Sequence, residues 1–192
     1  MPPNRRLATL SSINELRHRS LSNDRVGVHV RRITKADAAR LKRVRLAALE
    51  ESPSAFGSTH AAEANRPDDE WVERASSGSE GSERATFFAQ LDDEVVGLAG
   101  GYREAPSSVT VHLVSMWVAP HARKRGVGAT LVDAVIAWAI EMTATSVSLW
   151  VTRGNTAAEK LYCSKGFVTT GELQPLPSDS SKDEAKMRLS LQ

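Results

Sequence analysis

The chain has 192 residues, 41% of them hydrophobic and 25% charged, enough for one well-cored α/β domain and short for two. Its 25 basic and 23 acidic residues leave a formal net charge of +2, too balanced for a protein that holds nucleic acid by bulk charge. The single cysteine, Cys163, excludes an internal disulfide framework and CxxC metal or redox motifs and suits a reducing cytoplasm; no apolar stretch has the length of a membrane span, and no metal is expected.

Residues 1–25 read as a flexible N-terminal extension, rich in Arg and Ser and without the apolar core of a secretory signal, although the composition also fits a transit peptide. Residues 26–192 then form the domain. VGVHVRRI (Val26 to Ile33) reads as a strand, and Thr34 caps a helix with Asp37 in its first turn. That helix carries Leu41, Val44 and Leu49 on an apolar stripe until Pro53 ends it. Trp71 anchors a short helix in DDEWVERA, and SSGSEGSE (Ser76 to Glu83) reads as flexible. ATFFAQL and EVVGLAGGY flank Asp92 and Asp93 as a hairpin, and VTVHLVSMWVAP (Val109 to Pro120) has the composition of a buried strand. From Gly126 to Met142, the residues Val127, Leu131, Val135, Trp138 and Met142 recur at helical spacing. SVSLWV (Ser146 to Val151) alternates as a strand, and NTAAEKLYCSKGF gives a short helix closed by Gly166. The Pro- and Ser-rich QPLPSDSSKDE reads as a loop before a last strand, KMRLSL. The order β-α-α-β-β-β-α-β-α-β-β, without internal repeats, predicts a mixed α/β domain.

HARKRGVGAT, from His121 to Thr130, places Arg123, Lys124 and Arg125 directly before Gly126 and Gly128, at a strand-to-helix junction. Amides of a helix's first turn lack partners within the helix, and the helix dipole makes the end positive, so phosphate is favoured there. Glycine lets it approach closely. A Walker loop is absent, and Leu131 stands where a dinucleotide fingerprint needs its third glycine. What remains is Arg-x-x-Gly-x-Gly followed by Ala129 and Thr130, the pattern of a pyrophosphate-binding loop; a basic turn that merely caps a helix is the plainer alternative. The cluster has no interleaved aromatics, which argues against a nucleic-acid site.

This loop resembles the hallmark of the GNAT superfamily of N-acetyltransferases. A second block agrees: Asn155 to Phe167 carries the family pattern NxxAxxLYxxxGF in full. The resemblance covers about Val28 to Leu191 and implies a GNAT fold in which the strands holding Met116 to Val118 and Leu149 to Val151 splay apart to admit the pantetheine of acetyl-CoA. By the same resemblance, Met116, Trp117 and Val118 would meet the pantetheine as an added strand would. The segment Arg123, Lys124, Arg125, Gly126, Val127, Gly128 and Ala129 would cradle the pyrophosphate, and Asn155 and Ala158 would touch the cofactor from the next helix. A homodimer would fit the family as well.

An amine must be neutral to attack a thioester, yet alkylamines hold their proton to a pKa of about 10.4. Tyr162 stands where the family commonly keeps the acid that protonates the leaving sulfur; a packing tyrosine is the alternative. His112, placed by period two on the face of Val114, Met116 and Val118 and opposite Ser115, is the candidate base, with a core histidine as the alternative. Cys163 reads as a small buried hydrophobe rather than an acyl carrier. By the same resemblance the acceptor meets the segments from Glu50 to Trp71 and from Gly171 to Glu184, both acid-rich, with Glu50, Glu51, Glu63, Asp68, Asp69 and Glu70 in the first, which hints at a cationic amine. The expectation is transfer from acetyl-CoA to a small-molecule amine. Acetylation of a protein N-terminus or lysine, and a non-catalytic acyl-CoA sensor, are the alternatives.

Overall fold

The computed structural model describes residues 27–191, and the extension expected over residues 1–25 lies outside them. Strand β1 (Val28–Arg32) leads through helices α1 (Ala38–Glu51), α2 (His60–Ala64) and α3 (Asp68–Ser79) to β2 (Arg84–Leu91), β3 (Glu94–Tyr102) and β4 (Thr110–Val118). Helix α4 (Val127–Glu141), β5 (Ser146–Thr152), α5 (Thr156–Ser164), β6 (Val168–Leu176) and β7 (Asp179–Ser190) complete the described chain. The strands form one seven-stranded sheet in the order β1-β2-β3-β4-β5-β7-β6, in which only β4 and β5 run parallel. No helix among the described residues is long and apolar enough to cross a membrane.

Alternation along β2 sends adjacent phenylalanines to opposite faces. Phe87 joins a core with Val127, Leu131, Val135 and Trp138 of α4, whereas Phe88 packs with Leu41, Val44, Trp71 and Ala75 of α1 and α3. The sheet is therefore sandwiched, α4 below and α1 and α3 above, with the predicted stripes of α1 and α4 buried. Thr34 and Asp37 enter α1 as a reciprocal capping box, and Arg31 forks onto the Asp37 carboxylate at 2.8 and 2.9 Å.

Three local readings change. Helix α2 is an additional element. SSGSEGSE is helical as far as Ser79, because Gly78 lets α3 close on β2; a Cβ there would lie 2.7 Å from Thr86 Oγ1. QPLPSDSSKDE is mostly hairpin, with only Pro177 and Ser178 between β6 and β7. Pro175 is tolerated because β6 is an edge strand.

The largest change lies in β4. Gly100 pairs with Val114 but Leu98 with Trp117, so β4 holds one extra residue, and Ser115 takes φ +56°. This bulge inverts the alternation beyond it. His112 stacks on Tyr102 and shares the upper face with Trp117, which packs by Leu98, whereas Met116 and Val118 turn to the lower face beside Gly128. The period-two reading that put His112 with Met116 and Val118 is corrected accordingly. Ser115 sits above the sheet too, accepting a hydrogen bond from Arg45 of α1 at 3.1 Å. Nor is β4 buried along its length: Val111 and Leu113 are, whereas Val114 is 39% exposed.

Candidate active site

Strands β4 and β5 pair only from Thr110 with Ser146 to His112 with Ser148, and then part. The gap is a cavity of about 610 Å³ bordered by Met116, Trp117 and Val118 on one side, Trp150 and Thr152 on the other, and Leu161 and Tyr162 of α5. Ala119 N–H donates to Val96 O at 2.8 Å, so by alternation the polar groups of Val118 and Met116 point away from β3, into the gap. The Val118 carbonyl accepts from Arg123 Nε at 2.9 Å; the Met116 groups are left for an added extended chain.

The loop after β4 needs its glycines for different reasons. Gly126, the residue before α4, has φ +83°, and a side chain would be strained there although there is room for one. At Gly128 a Cβ would lie 3.1 Å from Leu161 and 3.3 Å from Met116, filling the cradle. The first helical hydrogen bond runs from Thr130 N–H to Gly126 O at 3.1 Å, so the amides of Val127, Gly128 and Ala129 have no acceptor within α4. Lys124, Gly126, Gly128 and Ala129 border the cavity, but Arg125 does not and the Val127 side chain is buried in the core. Arg123 also borders it, yet its guanidinium is occupied as a clamp, reaching Glu51 at 2.5 Å as well as Val118 O. Glu51 accepts in addition from Trp117 Nε1 at 3.1 Å, tying α1 to the loop.

At the start of α5, Asn155 Oδ1 accepts from Ala158 N–H at 3.2 Å and caps the helix; both residues border the cavity. The Tyr162 ring is buried, 5.8 Å from that of Phe167, and its hydroxyl has no hydrogen-bond partner among the described residues. Burial pushes its pKa upward, so the phenol stays protonated. Cys163 is exposed, against expectation: one step along a helix turns it about 100° from Tyr162, to solvent.

Above the sheet lies a second cavity, of about 490 Å³, bounded by α1, α3 and β2 to β4. Behind its wall, Glu63 of α2 is buried between Arg45 at 2.9 Å and Arg74 at 2.7 Å. Burial pushes the Glu63 carboxyl up, but the hydrogen bonds from Arg45 and Arg74 outweigh it and hold the pKa at about 2. Sequence reasoning passed over this network. Its signal was Arg45, a cation on the apolar stripe of Leu41, Val44 and Ala48.

His112 borders neither cavity. It sits where the strands part, with Nδ1 3.0 Å from Ser148 Oγ and Nε2 3.7 Å from Glu104. Burial lowers its pKa against the pull of Glu104, which keeps the imidazole neutral at pH 7.

The model of the Acetyltransferase (GNAT) family matches residues 45–167, more than half of the chain. No match was found among curated proteins. Several solved structures share the fold. The yncA protein of Salmonella typhimurium, solved with its cofactor acetyl-CoA, is 20% identical with a TM-score of 0.70 over 86% of this chain and 94% of its own. A ribosomal-protein-alanine N-acetyltransferase from Brucella melitensis is 26% identical, TM-score 0.68, over 85% and 99%. A spermidine N-acetyltransferase from Vibrio cholerae, in complex with CoA and spermine, is 16% identical, TM-score 0.69, over 85% and 95%.

Proposed function

Because the chain belongs to the GNAT acetyltransferase family and is thus an acyltransferase, we propose that it moves the acetyl group of acetyl-CoA to a primary amine of a small molecule, by direct attack in a ternary complex. The observation that carries this reading is the meeting of the two cavities: Val114 and Ser115, at the bulge of β4, border both. A thioester lying in the lower slot and an amine in the upper groove come together there without a covalent intermediate on the protein. The upper cavity has the volume of a small-ligand site.

The lower slot fits acetyl-CoA: the amides at the start of α4 and Lys124 receive the pyrophosphate, Gly128 leaves it room, and the Met116 backbone pairs with the pantetheine arm. Acetyl-CoA supplies an acyl carbon activated by a thiolate leaving group. The amine nitrogen uses its lone pair to form the N–C bond, and the C–S bond breaks with its electron pair going to sulfur. Tyr162 donates its proton to that sulfur, and the amine's surplus proton passes by water to the neutral His112 at the apex of the gap. Glu63 is unsuited to be the base, since two arginines hold it ionised and occupied.

Release of CoA thiol across a panel of primary amines, for wild type and Tyr162→Phe, tests the proposal. Turnover that collapses in the variant supports both reaction and acid. Tight CoA binding with no thiol release on any amine would sink transfer and leave a sensor.

A further inference from the structure

The upper groove is walled by more cations than anions. Four arginines border it, Arg45, Arg66, Arg74 and Arg84, against two glutamates. Arg45 and Arg74 share the single carboxylate of Glu63, and Arg66 Nη1 is held by Glu70 at 2.6 Å. Arg84 has no carboxylate partner among the described residues; its guanidinium lies over the Tyr102 ring, 5.6 Å from the centroid. Arg66 Nε and Trp71 Nε1 also lack acceptors among the described residues but are sealed from solvent, so the reachable donor of Arg66 is Nη2, unpaired on a side chain that is 39% exposed.

Resting on the acetyl-transfer reading above, we propose that the acceptor amine carries an anionic group, a carboxylate or a phosphate, which Arg66 and Arg84 bind. The unpaired groups of Arg66 and Arg84 are donors, and an oxyanion is the ligand that only accepts. A polyamine would bring more donors and more positive charge to the same wall. Of the six acids between Glu50 and Trp71, four are paired within the protein, Glu51 with Arg123, Glu63 with Arg45 and Arg74, Asp68 with Lys42 and Glu70 with Arg66. Glu73, the other groove glutamate, is the one carboxylate left for a positive group, so a zwitterion suits the groove at both ends.

The test uses the full chain and matched acceptors: the common α-amino acids with their amides, O-phosphoethanolamine with ethanolamine, and spermidine. Thiol release gives kcat and KM, and calorimetry on the CoA-saturated protein gives affinity. The expected result is at least one pair in which the anionic member is favoured by about tenfold or more in kcat/KM; the pair that responds distinguishes carboxylate from phosphate. In Arg84→Gln, and separately Arg66→Gln, KM for that member should rise by about tenfold with kcat little changed, while KM for its neutral partner and for acetyl-CoA stays as in wild type. Arg84 is exposed at the end of β2, so its variant keeps the fold, and circular dichroism verifies this. Turnover with neutral amides or spermidine equal to or better than every anionic amine overturns the subsite and leaves acetyl transfer standing. Binding of anionic amines that the two variants weaken, without thiol release, keeps the subsite and removes acetyl transfer. Absence of both binding and turnover for every anionic amine overturns the subsite.

Discussion

The slot between β4 and β5 opens onto main-chain groups at Met116 and at the start of α4, whereas the groove above the sheet is walled by Arg45, Arg74 and Arg84, side chains from two helices and a strand. The slot exists because two strands stop pairing and a helix begins with unpaired amides, features fixed by a few adjacent residues. The groove exists because distant side chains find one another on folding. One is a local solution to holding a phosphate-bearing ligand, and the other a tertiary solution that can differ from chain to chain on the same fold. Substitutions on either side should therefore separate cofactor from acceptor.

Tyr162→Phe is the largest expected break. Loss of one positioned acid lowers kcat by about 10² to 10⁴, while the KM for acetyl-CoA stays within about twofold because the ring still packs on Phe167. Steady-state thiol release measures both. A KM that rises as steeply as kcat falls would make Tyr162 a cofactor contact instead.

On the groove side, Glu63→Gln leaves two guanidiniums facing a neutral amide and should cost about 3 kcal/mol of stability, read as a lower urea midpoint. The pH dependence has a definite sign. The folded pKa of about 2 lies below the unfolded carboxylate value, so the stabilisation is present above about 4.3 and is lost as pH falls toward 2. The wild-type midpoint should decline through that window more than the variant's. Parallel declines would assign the acid sensitivity to other pairs, such as Arg31 with Asp37, whose carboxyl is also held well below its ordinary range.

Gly128→Val acts on the slot alone. Its branched side chain meets Leu161 and Met116, and the Kd for CoA should rise about tenfold with the fold and the acceptor groove intact. His112→Ala probes the apex of the gap, where β4 and β5 part. A base must be neutral to work, and burial lowers the pKa of His112, so the acidic limb of kcat/KM should lie below about 6.5 and disappear in the variant. A limb that persists unchanged moves the base elsewhere.

How much of this could be read from the chain follows the same division. The mixed sheet came from hydrophobic periodicity, and the slot and its loop from a family resemblance carried by two contiguous motifs, in which Gly126, Gly128 and Asn155 take their places through the backbone next to them. The bulge at Ser115 could not be read, because period two carries no warning of an inserted residue; Met116 and Val118 therefore lie on the face opposite His112 instead of sharing it. The β6–β7 hairpin was hidden by proline and serine that an edge strand tolerates. Counting acids along a segment says nothing about which of them pair within the protein, as Glu63 does with Arg45 and Arg74 and Asp68 with Lys42. Arg45 on a core stripe was the one visible signal of the groove.

The smallest effect is expected at Cys163, and it bears on whether the two cavities work together or in turn. A two-step route through an acyl-cysteine would need a thiol at the junction of slot and groove. Cys163 instead faces solvent on α5 and borders neither cavity, while Tyr162, its neighbour, is the side chain turned into the slot. Cys163→Ser should accordingly leave kcat within about twofold of wild type. Mass spectrometry of the wild-type protein incubated with acetyl-CoA alone should find no acetylated species, and thiol release should begin without a burst. A stoichiometric burst abolished by Cys163→Ser would mean that the acetyl group leaves the slot before the amine arrives, and the shared border at Val114 and Ser115 would no longer be where transfer occurs.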